Sequence, residues 1–132
     1  MASRSEVDAW IAAYERAWRA AGTDLLRELF SDDATYRMSP YAEPASGLDA
    51  IAALWERERE CPEEPFEMRR EIVAAEGDTA VVRVEVTYGK PRPGEYRDLW
   101  IVRFGPDGRC RAFEEWPFWP GQPIDPSRGE ES

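Results

Sequence analysis

Four side chains have the types and spacing to move a proton without outside help. They are the Arg83-Val84-Glu85 pair, Glu115 in Phe113-Glu114-Glu115-Trp116, and Tyr36. Two carboxylates sharing a partly dry site cannot both ionise cheaply, so their titrations couple and one keeps its proton near neutrality. A guanidinium between them offsets part of a large desolvation penalty. Such a cluster holds an acid and a base at once, and each proton transfer contributes about two to four orders of magnitude in rate. Asp98 is a further candidate acid beside Trp100. The favoured alternative for Asp98 is a strand-end charge paired with Arg97 or Arg103.

The chain has no histidine. That excludes Ser-His and Cys-His nucleophilic pairs, an imidazole base and His-based zinc or iron sites. Cys61 and Cys110 have no ligand-like spacing and read as small hydrophobes, so neither a metal nor an organic cofactor is expected. The net charge of −10 argues against nucleic acid and anionic membrane as partners. No apolar run approaches the roughly 18 to 20 residues of a membrane span. The N-terminus lacks an apolar signal core, so a cytoplasmic protein is expected.

These groups need elements to carry them. Helical spacing of Val7, Trp10, Ile11, Tyr14 and Trp18 predicts a first helix over about residues 6–21, capped by Ser3 or Ser5 and ended by Gly22. Thr23 is expected to cap a short second helix facing Leu25, Leu26, Leu29 and Phe30 inward. A short strand over 35–38, a Pro/Gly-rich loop over 39–47 and a third helix over about 48–60, stopped by Cys61-Pro62, complete the first half. Alternation then predicts four strands, over 66–76, 79–88, 95–104 and 109–116. They are turned at Gly77-Asp78, at the loop Gly89 to Gly94, and at Pro106-Asp107-Gly108. At 132 residues this is one domain, over 1–120, and a polar, flexible tail is expected over 121–132. The class is α+β.

The run Gly22-Thr23-Asp24-Leu25-Leu26, Leu29-Phe30-Ser31-Asp32-Asp33-Ala34-Thr35-Tyr36 and Gly47-Leu48-Asp49-Ala50-Ile51 resembles the opening half of the nuclear-transport-factor-2-like (NTF2-like) superfamily. That superfamily includes SnoaL-like cyclases, ketosteroid isomerases and limonene-epoxide hydrolases. The resemblance implies a cone: a curved antiparallel sheet closed by three helices from the N-terminal half around a small-molecule pocket. Limonene-epoxide hydrolases carry an Arg-x-Asp pair and a second Asp at places matched by Arg83-Val84-Glu85 and Glu115. By that pattern Glu115 is the base, Glu85 the acid that protonates an epoxide oxygen, and Tyr36 assists. The family's water-binding Asn falls at Met38. Against the ketosteroid isomerases, Tyr14 matches the oxyanion-hole Tyr, while their base and second oxyanion acid fall at Met38 and Trp100.

Facing decides between readings. Phe113, Glu115 and Pro117 share one face of the last strand, and Cys110, Ala112, Glu114 and Trp116 the other. Tyr96, Asp98, Trp100, Val102 and Phe104 share a face of the strand before it. For 79–88, either Val82, Val84, Val86 and Tyr88 point inward, or Arg83, Glu85 and Thr87 do. The second option leaves a valine row outside, and so predicts a homodimer through the convex face of the sheet. Tyr14, Trp18, Met38, Trp55, Asp98, Trp100 and Phe113 are expected to line the pocket. The expected function is a cofactor-free hydrolase or cyclase acting on a hydrophobic small molecule through Arg83, Glu85, Glu115 and Tyr36. The alternatives are a non-catalytic hydrophobic-ligand binder, and an isomerase, dehydratase or polyketide cyclase using Tyr14 with Glu115 or Asp98.

Overall fold

The computed structural model describes residues 3–20, 22–58, 66–88 and 94–120. The expected Cys61-Pro62 stop, most of the loop from Gly89 and the tail over 121–132 lie outside the described residues.

The chain opens with α1 (Arg4–Arg19). Ser3 caps it and forms a reciprocal capping box with Glu6, satisfying two backbone N–H groups at the helix start. The helix ends two residues short of expectation, at the extended Ala20, and Gly22 follows with a positive φ of 79°. A four-residue helix, α2 (Leu26–Leu29), comes next. Leu25, not Thr23, stands at its N-terminus, without a side-chain cap, and Leu25 is exposed rather than facing the core.

Six strands form one sheet, in the order β2-β1-β6-β5-β4-β3. They are β1 (Phe30–Arg37), β2 (Ala45–Ser46), β3 (Phe66–Glu76), β4 (Thr79–Tyr88), β5 (Gly94–Phe104) and β6 (Cys110–Phe118), with α3 (Leu48–Glu58) between β2 and β3. β1 starts five residues earlier than the alternation suggested. Phe30 belongs to the strand because it pairs with Cys110, while the acidic Ser31-Asp32-Asp33 segment is skipped in the register. The β1–β6 pairing is parallel and the other pairings are antiparallel. β2 lies in the Pro/Gly-rich stretch, where it adds Ala45 and Ser46 against Tyr36 and Thr35. The sheet is curved and unclosed, as expected for the α+β cone, and register shifts in β1, β3 and at the β5–β6 pairing bend it.

The concave face holds the core. Trp10 of α1 stands edge-on to Phe30, Trp100 and Phe104, and its Nε1 donates to the Leu29 carbonyl at 3.0 Å. Burying each such ring contributes about 1.5–3 kcal/mol, and edge-to-face contacts add about 0.5–1.5 kcal/mol. The far edge of the sheet is tied to α1 by Arg70 of β3, which donates to both Asp8 oxygens at 2.8 and 3.1 Å. Cys110 is buried, and burial pushes its thiol up to about 12, so it is an inert core residue. Among the described residues, no helix is long and apolar enough to cross a membrane.

Candidate active site

Strand phase places the chemistry. On β4, Ala80, Val82 and Val84 are buried, so Arg83 and Glu85 must face the other way. Both are exposed, and Arg83 donates to Glu71 of β3 at 3.2 Å on the outer surface. The inward placement of the Arg83-Glu85 pair is therefore overturned. The reason is the hydrophobic term: turning two charges inward would have put a row of valines in water. The valine row invoked for a convex-face dimer is inside as well.

β5 and β6 behave as alternation requires, with one exception. Asp98, Trp100, Val102 and Phe104 share the concave face, as do Phe113 and Glu115. Cys110 was assigned to the opposite face from Phe113, yet it also points inward. Arg103 pairs with Ala112 and Phe104 with Cys110, so Arg111 is an extra residue that resets the phase.

Glu115 lies directly across from Trp100, and Asp98 lies across from Pro117. Asp98 is thus the diagonal cross-strand neighbour of Glu115, within reach of a long side chain. On the other side of β6, Tyr36 pairs with Phe113 and is likewise diagonal to Glu115. Tyr14 reaches the same place from α1. The result is a chain of polar groups in an aromatic interior. Tyr36 Oη donates to Glu115 Oε1 at 2.6 Å, and the Tyr14 and Tyr36 hydroxyls are 2.9 Å apart. Since the Tyr36 hydroxyl hydrogen points to Glu115, Tyr14 must be the donor in the second bond.

Among the described residues, Asp98 is the one ionisable carboxyl buried in this core, with 6 % exposure. Burial first, then the Glu115 charge and a hydrogen bond to Glu115, push its carboxyl up to about 9. A weaker pull from the Trp100 indole acts the other way without reaching hydrogen-bond geometry. Asp98 Oδ1 and Trp100 Nε1 are both buried and have no hydrogen-bond partner among the described residues. Near neutrality Asp98 therefore keeps its proton beside Glu115, and Glu115 accepts a hydrogen bond from Tyr36. Burial, followed by the Glu115 charge, lifts the Tyr14 and Tyr36 hydroxyls well above the usual tyrosine value, so both stay protonated donors.

Of the residues expected to line a pocket, Tyr14, Trp55, Trp100 and Phe113 are buried around this chain of groups, while Trp18 and Met38 pack half-buried against the core. Tyr14 lies 4.5 Å from Trp100 and 5.1 Å from Trp55, ring centre to ring centre. The favoured reading of Asp98 as a strand-end charge is overturned: its neighbour Arg97 points outward and pairs with Glu95. The signal was present in the sequence, as a lone Asp within the inward stripe Tyr96, Trp100, Val102 and Phe104. Glu115 and Tyr36 do meet. Their acidic partner is Asp98, in the place the sequence reading gave to Glu85.

Residues 10–113 match the family model for the SnoaL-like domain. No curated protein matches the sequence. Among solved structures, one described as a SnoaL-like polyketide cyclase from Jannaschia sp. CCS1 superposes with a TM-score of 0.70 at 18% identity, covering 85% of this chain and 84% of that one. One described as an isomerase of the SnoaL-like family, from Agrobacterium tumefaciens, gives 0.67 at 14% identity, covering 86% and 98%. An LEH-like epoxide hydrolase from M. tuberculosis gives 0.62 at 15% identity, covering 86% and 84%. At these identities the likeness establishes the fold.

Proposed function

Because this chain belongs to the SnoaL-like domain family, with an NTF2-like fold that serves several chemistries, we propose that it is a cofactor-free acid–base enzyme acting on a hydrophobic small molecule. Its reaction is proton transfer next to a carbonyl, leading to isomerisation or cyclisation. The observation that carries this reading is the placement of Asp98 and Glu115 as diagonal neighbours on the inward face of the sheet, with Tyr36 and Tyr14 hydrogen-bonded in line beside Glu115.

The step balances within the pair. Glu115 takes the proton from the carbon beside the carbonyl, and the electrons of that C–H bond form the enol double bond. Asp98 gives its proton to the carbonyl oxygen. The pair ends with the proton on Glu115 and the charge on Asp98, still one proton between two carboxyls. Returning a proton to a different carbon isomerises the substrate. Attack of the enol carbon on a second carbonyl closes a ring. Tyr36 holds Glu115 in place, and Tyr14 holds Tyr36. Each positioned transfer supplies about two to four orders of magnitude in rate.

Two observations rank the alternatives. Hydrolysis by an Arg-bridged pair of glutamates loses its support with Arg83 and Glu85 on the outer surface. Epoxide opening remains a second reading through Asp98 as acid and Glu115 as the base toward water, favoured by the epoxide hydrolase among the structural neighbours. Incubation in heavy water with a panel of small unsaturated ketones, diketones and epoxides, read by mass spectrometry, separates them. Deuterium at a substrate carbon that requires both Glu115 and Asp98 supports enolisation. Labelled water oxygen in a diol product identifies hydrolysis. Neither product, with tight binding by tryptophan quenching, identifies a non-catalytic binder.

The outer face carries the half-buried Val81, Leu99, Ile101 and Trp116 and the exposed Val73, set among arginines and glutamates. We infer that two copies pair through this face.

A further inference from the structure

One end of the sheet is rimmed by aromatic rings. Phe66 opens β3, Tyr88 closes β4, Tyr96 lies near the start of β5 and Trp119 directly follows β6. Antiparallel pairing brings these positions to the same end, with Phe66 across from Tyr88 and Phe118 across from Arg97. The rings form an unbroken arc. Their centres are 5.6 Å apart from Phe66 to Tyr88, 6.0 Å from Tyr88 to Tyr96 and 6.1 Å from Tyr96 to Trp119.

The arc is closed at one end and open at the other. Arg19, in the last turn of α1, lies 3.9 Å over the Phe66 ring centre and donates to the Phe66 carbonyl at 3.0 Å. Phe66 is accordingly buried, whereas Tyr96 is 37 % and Trp119 46 % exposed. The open rings therefore stand at the β5–β6 end of the arc, and these are the strands that carry Asp98 and Glu115. Tyr96 shares a face with Asp98 two residues away, about 7 Å along the strand. Arg19 and Arg97 are paired with Glu15 and Glu95, so this part of the rim presents neutral ring surface. The arc also borders the inner tyrosines: burial and then the Glu115 charge raise the Tyr14 hydroxyl most, and Tyr88 adds to that push. Two large rings left half in water forgo apolar burial, and a flat ring laid against them recovers it.

We propose that Tyr96 and Trp119 are specificity-determining residues, stacking a flat, uncharged ring that extends outward from a carbonyl group placed at Asp98 and Glu115. The inference rests on the reading of that pair as the reacting groups, and it names the part of the substrate that projects beyond them.

Three ketones test it by equilibrium dialysis against the full chain. Acetophenone has one ring. In 2-acetylfluorene a second flat ring stands off from the carbonyl on the scale of the Asp98–Tyr96 spacing. In 4-cyclohexylacetophenone a puckered ring takes its place. The wild type is expected to bind 2-acetylfluorene about tenfold tighter than acetophenone and about threefold tighter than the cyclohexyl ketone. Tyr96→Ala and Trp119→Ala should each cut the tenfold gain to about threefold or less and leave acetophenone binding within about twofold. Tyr96→Phe keeps the ring and should keep the gain. Phe118→Ala, on the opposite face, should keep it too. An undiminished gain in Tyr96→Ala or Trp119→Ala overturns the inference. So does cyclohexyl ketone binding as tight as that of 2-acetylfluorene, or no 2-acetylfluorene binding up to its solubility limit. Deuterium uptake at the acetyl carbon, read on the same ketones, separates this result from the fate of the enzyme reading. Uptake that needs Glu115 but shows no dependence on Tyr96 or Trp119 keeps the enzyme and rejects the rim. Ring-selective binding that needs both aromatics, without uptake on any ketone, keeps the rim and rejects the enzyme.

Discussion

Asp98 and Glu115 face each other diagonally across β5 and β6, with burial and the Glu115 charge raising the Asp98 carboxyl and Tyr36 closing on Glu115 at 2.6 Å. The two carboxyls come from neighbouring strands on one face of a sheet whose pairing fixes their separation. A buried acid with this raised affinity for its proton has consequences for stability as well as for catalysis.

Folding stability should fall as the solution becomes more alkaline. The Asp98 carboxyl rises from 3.8 to about 9 on folding, so between those values the folded chain holds a proton that the unfolded chain has lost. The unfolded state then binds fewer protons, and unfolding becomes easier with each step upward in pH. The stability is fully present below about pH 4 and is lost as pH rises toward 9, by on the order of 1 kcal/mol per pH unit from this group. Asp98→Asn should flatten that slope and stabilise the protein at pH 8. Urea titrations of both proteins at pH 5, 6.5 and 8 give the comparison.

Catalysis should depend on the inner carboxyls and ignore the outer ones. Glu115→Gln and Asp98→Asn are each expected to lower kcat by about a hundredfold or more. Arg83→Ala and Glu85→Ala should leave kcat within about twofold and stability within about 0.5 kcal/mol, since their charges are solvated. A large loss in either outer variant would contradict the placement of the chemistry.

The rate itself should have an alkaline limb. Asp98 acts as the acid only while it holds its proton, so kcat/KM is expected to decline as pH passes about 9. A pH–rate profile of the wild type should show this limb, and Asp98→Asn should lack it within the residual activity.

Removing one hydroxyl should disturb the next. Tyr36→Phe deletes the donor to Glu115 and the acceptor for Tyr14, with an expected cost of about 1–3 kcal/mol. Tyr14→Phe, which ends the chain of donors, should cost less. The double variant should cost less than the sum of the two, because the groups share one network. Thermal denaturation of the three variants measures the coupling.

The outer face should show itself in solution. Light scattering is expected to give a dimer for the wild type, and Ile101→Arg, which puts charge among Leu99, Val81 and Trp116, should shift the chain toward monomer while leaving the inner site folded.

Much of this protein was legible along the chain. The apolar stripe of α1, the capping box at Ser3 and Glu6, the hairpin turn at Gly77, and the α+β order follow from local spacing and turn chemistry. So does the inward stripe of β5, because side chains alternate strictly along a strand. The partners of Glu115 were decided elsewhere. Choosing between Arg83-Glu85 and the valines as the inward set on β4 required knowing what covers each face, and the buried interior took the valines. The meeting of Asp98 with Glu115 depends on a diagonal register between β5 and β6, and the phase of β6 depends on one extra residue at Arg111. Residue types supply the acids and the tyrosines. Which of them share a proton is set by pairing between strands and by the exclusion of water, and both exist only once the sheet has curved around its core.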